Sequence, residues 1–308
     1  MRLAAVVVAW NGREDVLALL AALAPQLGPA DRVLLVDNAS GDGTAGAVRG
    51  AFPTAEVIEA GRNLGFAGGA DLGIRRALDG GFTWILLLNQ DAIPEPGAVA
   101  ALLEEAGARP EAGAVQPLLL SSADPSRVDS LGIRILRGLR ARDAGAGSPA
   151  AAAPRESRPI FGACAAAVLL RADALRSAGP PEPELFLLFE DVDLAFRLRA
   201  AGFEARLAPA ARFLHRRGIS RPPAPGDQAA RRRRYFLHRN TAALALRYWP
   251  MRWLLPGAPL LAWQMLEALR LSPAAPGHRC LPLWRRFLAG RRASRRALAA
   301  RGADRWFE

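Results

Sequence analysis

Carboxylates follow apolar runs at several points of this 308-residue chain. Asp37 comes directly after the apolar run 33–36, and Asp91 ends the segment Asn89-Gln90-Asp91 that follows the run 84–88. A carboxylate such as Asp91, at the end of a buried strand, can bind Mg²⁺ or Mn²⁺ that already holds a diphosphate. Asp37 can accept a hydrogen bond from a ribose hydroxyl or a base N–H. When each aspartate is considered alone, a role in turn formation explains it as well as ligand binding does.

The densest acidic cluster is Glu190-Asp191-Val192-Asp193, which follows the apolar residues 185–189 and begins a predicted helix over 191–201. Capping explains part of this pattern, because a helix N-terminus favours negative charge. A carboxylate that also faces a cleft can act as a general base, with Glu190 and Asp193 as candidates for the acceptor side. Like charges raise the pKa of Asp191, whereas a helix N-terminus or a metal lowers it, so the sequence leaves this balance open.

A glycine-rich stretch and a histidine are the other candidates. Residues 62–69 place Gly65, Gly68 and Gly69 before a helix, where backbone N–H groups approach phosphate or sugar oxygens. The stretch is not GxGxxG and lacks the acidic residue at the spacing of dinucleotide folds, which argues against a nicotinamide-dependent dehydrogenase. His215 is one of three histidines. A lone histidine in a basic stretch is usually a surface residue.

The elements that position these residues alternate along the first half of the chain. Apolar runs predict strands at 3–9, 33–36, 56–58, 84–88 and 114–120, with helices at 15–27, 65–78 and 96–108 between them. This alternation predicts a Rossmann-like α/β domain with a mostly parallel sheet flanked by helices. Ligands bind beyond the carboxyl ends of such strands, which is where Asp37 and Asp91 lie.

The pattern is less regular after residue 120. Residues 121–159 are predicted to be a loop or excursion with a possible strand at 129–136 and a low-complexity Ala/Gly/Pro stretch at 144–154. Residues 161–170 predict a buried strand, and 203–208 predict a last, half-buried strand.

Charge divides the chain unevenly. Residues 1–204 carry 19 Arg and 25 acidic residues, whereas residues 205–308 carry 22 Arg and four acidic residues. A Pro-rich break at 222–226 predicts two regions, an α/β domain over 1–220 and a basic, Trp-rich helical region over 221–308.

Five of the seven tryptophans lie in the last 60 residues. With the arginines, they favour contact with an anionic membrane surface. Nucleic-acid binding and a solvated helical subdomain are the alternatives, and nucleic acid is the less favoured partner. Prolines and charges within 248–271 argue against a membrane-spanning helix.

Two cysteines, Cys164 and Cys280, are too few for a disulfide framework or a cysteine-based zinc site. The apolar run 3–9 is too short for a signal peptide and lacks a cleavage site. We therefore expect the protein to lie in the reducing cytoplasm. Peripheral attachment to the inner face of the cell membrane is compatible with this location.

Six segments, taken in order, resemble family 2 inverting glycosyltransferases of the GT-A fold, in particular the bacterial rhamnosyltransferase-like branch. They cover about the first two-thirds of the chain. They are VVVAWNG (6–12), VDNASGDGT (36–44), NLGFAGG (63–69), LNQD (88–91), EDVDL (190–194) with Arg197, and HRRGIS (215–220).

The resemblance implies a role for each matched position. Asp37 contacts the nucleotide base, Asp91 binds the metal in a DxD-like element, His215 completes the metal site, and Asp191 is the base. The remaining donor-binding candidates are Asn63, Gly65, Asn89 and Gln90.

The implied reaction moves one sugar from a nucleotide-diphosphate donor, with dTDP-L-rhamnose as the first candidate, to a glycan or lipid-linked glycan in bacterial envelope polysaccharide assembly. The implied cofactor is Mg²⁺ or Mn²⁺. A UDP-hexose donor is the alternative within the same fold. A non-catalytic nucleotide-binding or scaffold protein is a third hypothesis, in which Asp91 and Asp191 are merely structural.

Overall fold

The structure, a computed structural model, describes residues 2–136, 140–216, 227–272, 279–302 and 306. Its strands are β1 (Leu3–Ala9), β2 (Arg32–Asp37), β3 (Glu56–Glu59), β4 (Trp84–Asn89), β5 (Ala92–Pro94), β6 (Ala112–Ser121), β7 (Val128–Ser130), β8 (Ile133–Leu136), β9 (Arg140–Asp143), β10 (Arg158–Ile160), β11 (Ala167–Arg171) and β12 (Glu204–His215). Its helices are α1 (Arg13–Leu23), α2 (Thr44–Ala51), α3 (Gly65–Asp79), α4 (Ala98–Ala108), α5 (Ala172–Ala178), α6 (Glu190–Ala200), α7 (Gln228–Tyr248), α8 (Met251–Leu254), α9 (Ala258–Leu271), α10 (Cys280–Ala289) and α11 (Arg291–Ala300). Short 3₁₀ turns lie at Ala24–Gln26, Ala150–Ala152 and Pro183–Leu185.

The central sheet has the order β10-β12-β6-β11-β4-β1-β2-β3. All seven residues of β1 are buried, as expected for a strand covered by helices on both faces. The strands β3, β2, β1 and β4 run parallel, but β11 enters antiparallel between β4 and β6. The predicted α/β fold with helices flanking a sheet is confirmed, with a parallel half and a mixed half.

Two strands differ from the predictions in their extent. β11 begins only at Ala167, so the predicted strand at 161–170 is wrong over 161–166, where an apolar loop leads to the sheet. β12 continues beyond the predicted 203–208 to His215, and its pairing with β6 shifts register between Ala208 and Arg212. Pro209 lies in this bulge, where a residue without a backbone N–H is tolerated. The extension delivers His215 to the end of the sheet.

The segment predicted to be an excursion contains regular structure. β7 pairs with β6, and β8 and β9 form a two-stranded ribbon whose register places Ile133 opposite Asp143. These short strands bring Asp129 and Asp143 to the side of the molecule that holds the other acidic candidates.

The described part of the C-terminal region is helical, as predicted, and packs on the α/β domain. One hydrophobic cluster contains Ile135 of β8, Phe196 of α6 and buried residues of α7, α9, α10 and α11. The ring of Tyr248 stacks on Phe196 with 4.3 Å between centroids. The predicted boundary at residue 220 lies within 217–226, outside the described residues. Among the helices that are described, none has both the length and the apolar character needed to cross a bilayer.

The tryptophans of this region do not form the interfacial set that the sequence predicted. Trp249 and Trp284 are only 2% and 3% exposed, and Trp284 donates its indole N–H to the carbonyl of Arg239. Trp263 is 48% exposed. Most of these aromatic side chains therefore serve the core, because helices α7 to α11 have their own apolar surface to cover.

Candidate active site

Strand register brings the first two candidates to one edge of the sheet. In the parallel pairs of β1, Ala9 lies opposite Asp37 and Val8 lies opposite Asn89. Asp37 is buried and accepts a long hydrogen bond, 3.3 Å, from the backbone N–H of Ser40. The Asp37 carboxylate thus holds the loop after β2, and it lies beside the end of β1, where parallel sheets bind ligands.

Asp91 and His215, the two residues to which the resemblance assigns the metal, lie close together. β12 pairs antiparallel with β5 and sets His215 opposite Ala92, the residue after Asp91. The His215 Nε2 atom is 3.4 Å from Asp91 Oδ1, and both side chains are buried. His215 Nδ1 is 2.9 Å from Asp129 Oδ2, so carboxylates face both ring nitrogens.

The charges of this cluster favour a bound cation. Burial lowers the pKa of His215, but hydrogen bonds and charges from Asp129 and Asp91 outweigh it and raise the pKa to about 9. Burial opposes ionisation of Asp91, yet His215 lowers the pKa of that carboxyl below its usual value. A metal ion binds neutral imidazole and therefore takes the place of the Nε2 proton.

The residues present fit a metal site completed by the donor. Asp129 can hold the Nδ1 proton of His215, the outer-shell arrangement typical of histidine metal ligands. Across the described ranges, no group of three or more His, Cys, Asp or Glu side chains is preformed to hold a metal. Asp91 and His215 would thus supply two ligands, and diphosphate and water oxygens would complete the set.

Asn89 and Gln90 have different surroundings. Asn89 Nδ2 lies 3.3 Å from His215 Nε2, so Asn89 belongs to the cluster around Asp91. Gln90 Oε1 accepts a 2.8 Å hydrogen bond from the backbone N–H of Trp10. The Gln90 side chain also packs on Gly12, where a Cβ would lie 2.1 Å from Gln90 Nε2. The Gln90 side chain therefore closes the loop after β1.

Asp191 is tied to this edge through two consecutive residues. Its Oδ1 accepts from the N–H of Val192 at 2.8 Å, and its Oδ2 accepts from Ala165 at 3.4 Å. The next residue, Ala166, accepts a 2.9 Å hydrogen bond from the N–H of Asn89. The loop before β11, which the sequence suggested was strand, thus links the first turn of α6 to the end of β4.

The environment of Asp191 suits a general base. Burial, and then the negative charge of Asp143, raises the pKa of Asp191 to about 6, although the N–H groups of Val192 and Ala165 lower it. A base with a pKa near the working pH transfers protons efficiently. Sequence reasoning missed Asp143 and Asp129, because both lie on short strands within the segment that was predicted to be an excursion.

The two acceptor-side candidates beside Asp191 are buried. Glu190 is 7% exposed, and its Oε2 has no hydrogen-bond partner among the described residues. Asp193 is fully buried, with Oδ1 accepting from the Tyr248 hydroxyl at 2.6 Å and Oδ2 accepting from Arg197 at 2.7 Å. These surroundings do not support an acceptor-side role for Asp193, since one oxygen joins α6 to Tyr248 of α7 and the other pairs with Arg197 within α6.

The glycines of 62–69 lie inside the first turns of α3. Gly65 has φ +72°, its N–H donates to Asn63 Oδ1 at 2.8 Å, and a Cβ there would lie 2.3 Å from the carbonyl oxygen of Phe186. At Gly69 a Cβ would lie 2.7 Å from Val8 Cγ1. Close packing explains these glycines, so the phosphate interpretation is not supported for Gly68 and Gly69.

A strained loop precedes Asp191. Phe186, Leu188 and Phe189 have φ of 63°, 70° and 70°. Each such conformation costs about 1–3 kcal/mol and persists only where surrounding contacts impose it. The loop lies between the donor-side helix α3 and the C-terminal helix α7, because the Phe186 carbonyl accepts from Ala67 and the Phe186 ring stacks on Phe236.

Comparison with solved structures identifies this architecture. A mannosyltransferase from Pyrobaculum calidifontis in complex with GDP-Man and Mn²⁺ superposes with a TM-score of 0.54 at 17% identity, covering 98% of this chain and 86% of that one. GalNAc-T7 with UDP, GalNAc and Mn²⁺ gives 0.59 at 12% identity, covering 88% of this chain and 57% of that one. The fold is that of GT-A glycosyltransferases.

The sequence comparisons add the family. Residues 1–236 match Glycosyltransferase like family 2, and the chain belongs to that family. It is 31% identical over 254 residues to the N-acetylglucosaminyl-diphospho-decaprenol L-rhamnosyltransferase of Mycobacterium tuberculosis, covering 73% of this chain and 80% of that one. It is 28% identical to the galactofuranosyltransferase GlfT1 of Mycolicibacterium smegmatis, covering 78% and 82%. The family predicted from six short segments is confirmed.

Proposed function

We propose that this glycosyltransferase inverts the anomeric carbon of its donor sugar, with Asp191 as the base that accepts the proton of the acceptor hydroxyl. The observation that carries the proposal is the link from Asp191 through Ala165 and Ala166 to Asn89, beside the Asp91–His215 pair. One carboxylate suffices for a single displacement. A positioned base contributes about 10²- to 10⁴-fold in rate.

Asp91 and His215 would hold Mg²⁺ or Mn²⁺, as argued from their separation and from the carboxylate on the far side of the imidazole. The ion would act as a Lewis acid that offsets negative charge on the departing nucleoside diphosphate. Asp37, Asn63, Gly65 and Asn89 would contact the donor, with Asp37 at the nucleotide base.

The relatives suggest substrates. The mycobacterial relative is a rhamnosyltransferase whose name specifies a decaprenol diphosphate acceptor. We infer by analogy that this chain transfers L-rhamnose from dTDP-rhamnose to a lipid-linked glycan in envelope polysaccharide assembly. The second candidate is a UDP-hexose donor, and the galactofuranosyltransferase relative is consistent with transfer of a sugar other than rhamnose.

The test is a transfer and donor-hydrolysis assay with dTDP-rhamnose and UDP-hexoses in Mn²⁺. Asp191→Asn should lower transfer by at least about 10²-fold while dTDP or UDP binds as to wild type, since the amide keeps the size of the side chain. Transfer within tenfold of wild type would exclude Asp191 as the base. Wild-type protein that binds no nucleotide and hydrolyses no donor would favour the scaffold hypothesis.

We also propose that the C-terminal helices attach the enzyme to an anionic membrane surface on the cytoplasmic side. The apolar contact would come mainly from leucines, because Trp249 and Trp284 are buried and Trp263 is the predicted tryptophan that the described residues leave exposed. Leu255 and Leu266 are 66% and 65% exposed, and Leu281 and Leu288 of α10, seven residues apart on one helix face, are 54% and 50% exposed. The excess of arginine over residues 205–308 supplies charge complementary to anionic lipid.

Co-sedimentation of the full chain with phosphatidylglycerol or phosphatidylcholine vesicles tests this attachment, with RNA and DNA as competitors. A Leu255→Ser/Leu266→Ser variant should bind anionic vesicles at least about tenfold more weakly, because burial of a leucine contributes roughly 1.5–3 kcal/mol. Leu237→Ser, at a less exposed position on α7, is the matched control. Equal binding by wild type and double variant, or binding confined to nucleic acid, would refute the proposal.

A further inference from the structure

Two adjacent residues of α7 contact the loop before Asp191. Asn240 Nδ2 lies 2.9, 2.9 and 2.8 Å from the carbonyl oxygens of Leu185, Leu187 and Leu188. Arg239 Nη2 donates to the carbonyls of Glu184 and Leu185 at 2.6 and 3.0 Å. Two side chains therefore contact nearly every carbonyl of residues 184–188.

The orientation of Asn240 is fixed by its neighbour. Arg239 Nε donates to Asn240 Oδ1 at 2.9 Å, which turns the amide nitrogen toward the loop. Both side chains are buried, with exposures of 1% for Arg239 and 0% for Asn240. Trp284 donates to the Arg239 carbonyl and anchors this part of α7 on α10. The contact is therefore built from buried groups with few alternative rotamers.

The loop needs such support. Phe186 has φ 63° and ψ −60°, and the N–H of Leu187 donates to the carbonyl of Leu185 at 2.7 Å, which is the rare γ-turn with positive φ. Phe189, the residue at the N-cap of α6, is left-handed and gives no side-chain hydrogen bond to the helix. The direction of α6 at Asp191 is consequently set by the loop rather than by a capping side chain.

We propose that Arg239 and Asn240 are positioning residues for transfer, holding loop 184–188 in its strained conformation so that Asp191 faces the donor edge. The inference rests on the proposed role of Asp191 as base. Because Phe186 also contacts Gly65 and Ala67 of α3, the loop fixes the base relative to the donor-side helix. The C-terminal region thereby takes part in catalysis without touching substrate.

Asn240→Asp is the sharpest variant. The carboxylate keeps the acceptor for Arg239 but replaces the N–H donors with an oxygen that faces three carbonyl oxygens. Arg239→Lys is the second variant, since it keeps the charge and loses the planar fork. Leu298→Ala is the matched control, because Leu298 is fully buried on α11 and no described hydrogen bond joins it to the loop.

Hydrogen exchange is measured first, in full-length protein and without substrate. Amides of residues 185–191 should exchange at least tenfold faster in Asn240→Asp than in wild type, whereas Leu298→Ala should change that segment only in proportion to its global loss of stability. Unchanged exchange of this segment in both Asn240→Asp and Arg239→Lys would overturn the proposal.

Kinetics then separate positioning from folding. Asn240→Asp should lower kcat for transfer at least tenfold, with donor KM within threefold of wild type and dTDP or UDP binding retained. A wild-type kcat, or a loss no larger than that of Leu298→Ala at the same fraction folded, would contradict a positioning role. If wild type itself transfers no sugar, the proposed function fails while the exchange experiment still decides whether α7 holds the loop.

Discussion

Tyr248 donates its hydroxyl to Asp193 Oδ1 at 2.6 Å and so joins α7 to α6 two residues after Asp191. The other oxygen of Asp193 accepts from Arg197, whose Nη1 also donates to the carbonyls of Ala178 and Gly179. The aspartate in the first turn of α6 is therefore a junction between the C-terminal region, α6 and the end of α5.

Tyr248→Phe should lower the free energy of unfolding by about 1.5–3 kcal/mol, because a buried carboxylate loses a hydrogen-bond donor. Denaturant unfolding measures the loss. Tyr235→Phe is the control, since Tyr235 is also buried but its hydroxyl contacts the Cys280 thiol, at 3.6 Å, and Arg239 rather than a carboxylate. Equal losses in the two variants would show that the Asp193 contact contributes nothing specific.

Transfer should depend on pH through Asp191. The base acts only when ionised, and its pKa is raised to about 6 by burial and by Asp143. The rate should therefore fall as pH decreases below about 6 and level off above it. Asp143→Asn removes one source of the shift and should move the acid limb to lower pH. A limb that stays in place in this variant would assign the titration to another group.

Metal affinity should depend on Asp129, which orients His215 from the far side of the ring. Asp129→Asn should weaken activation by Mn²⁺ by about 10- to 100-fold. Asp91→Ala should remove the dependence on metal together with most activity, and EDTA should silence wild type reversibly. Asp124→Asn, an exposed aspartate close in sequence, is the control. Full activity in chelator would indicate a metal-free mechanism.

Gly65→Ala should destabilise the protein, because the backbone there has φ +72° and a Cβ would collide with the Phe186 carbonyl. The strain alone costs about 1–3 kcal/mol. Gly46→Ala is the matched control, since a Cβ there meets nothing within 4 Å and glycine inside a helix costs roughly 0.5–1 kcal/mol relative to alanine. The two substitutions should shift the thermal midpoint in opposite directions.

Much of the fold could be predicted from local pattern. β1 lies at 3–9, as its apolar run indicates, and the polar residues after β2 and β4 meet at one edge because parallel strands share a direction. The Asp91–His215 pair came from the family resemblance, not from spacing. No periodicity predicts that β12 would run to residue 215, since Pro209 interrupts its pattern.

The unpredicted parts depend on long-range pairing. Asp129 reaches His215 only because β7 pairs with β6 and β12 pairs with the same strand, contacts that join residues 86 positions apart. The burial of Trp249 and Trp284 could not be predicted from the sequence for a related reason. An aromatic residue in a basic segment has the same sequence signature whether it covers a core or meets a lipid surface.

The number of residues in the bulge of β12 determines which residue of this strand reaches Asp91 and Asp129. Between Ala208, opposite Pro117, and Arg212, opposite Leu118, three residues of β12 have no partner on β6. Deleting one of the three while the pairing of 204–208 is kept would bring Arg216 to the place where His215 now meets Asp91 and Asp129, and would turn His215 to the other face of the strand. Replacing the exposed Ala210 by another residue should leave that count, and hence the cluster, unchanged. Homologous chains that vary freely in composition here should therefore still agree in length.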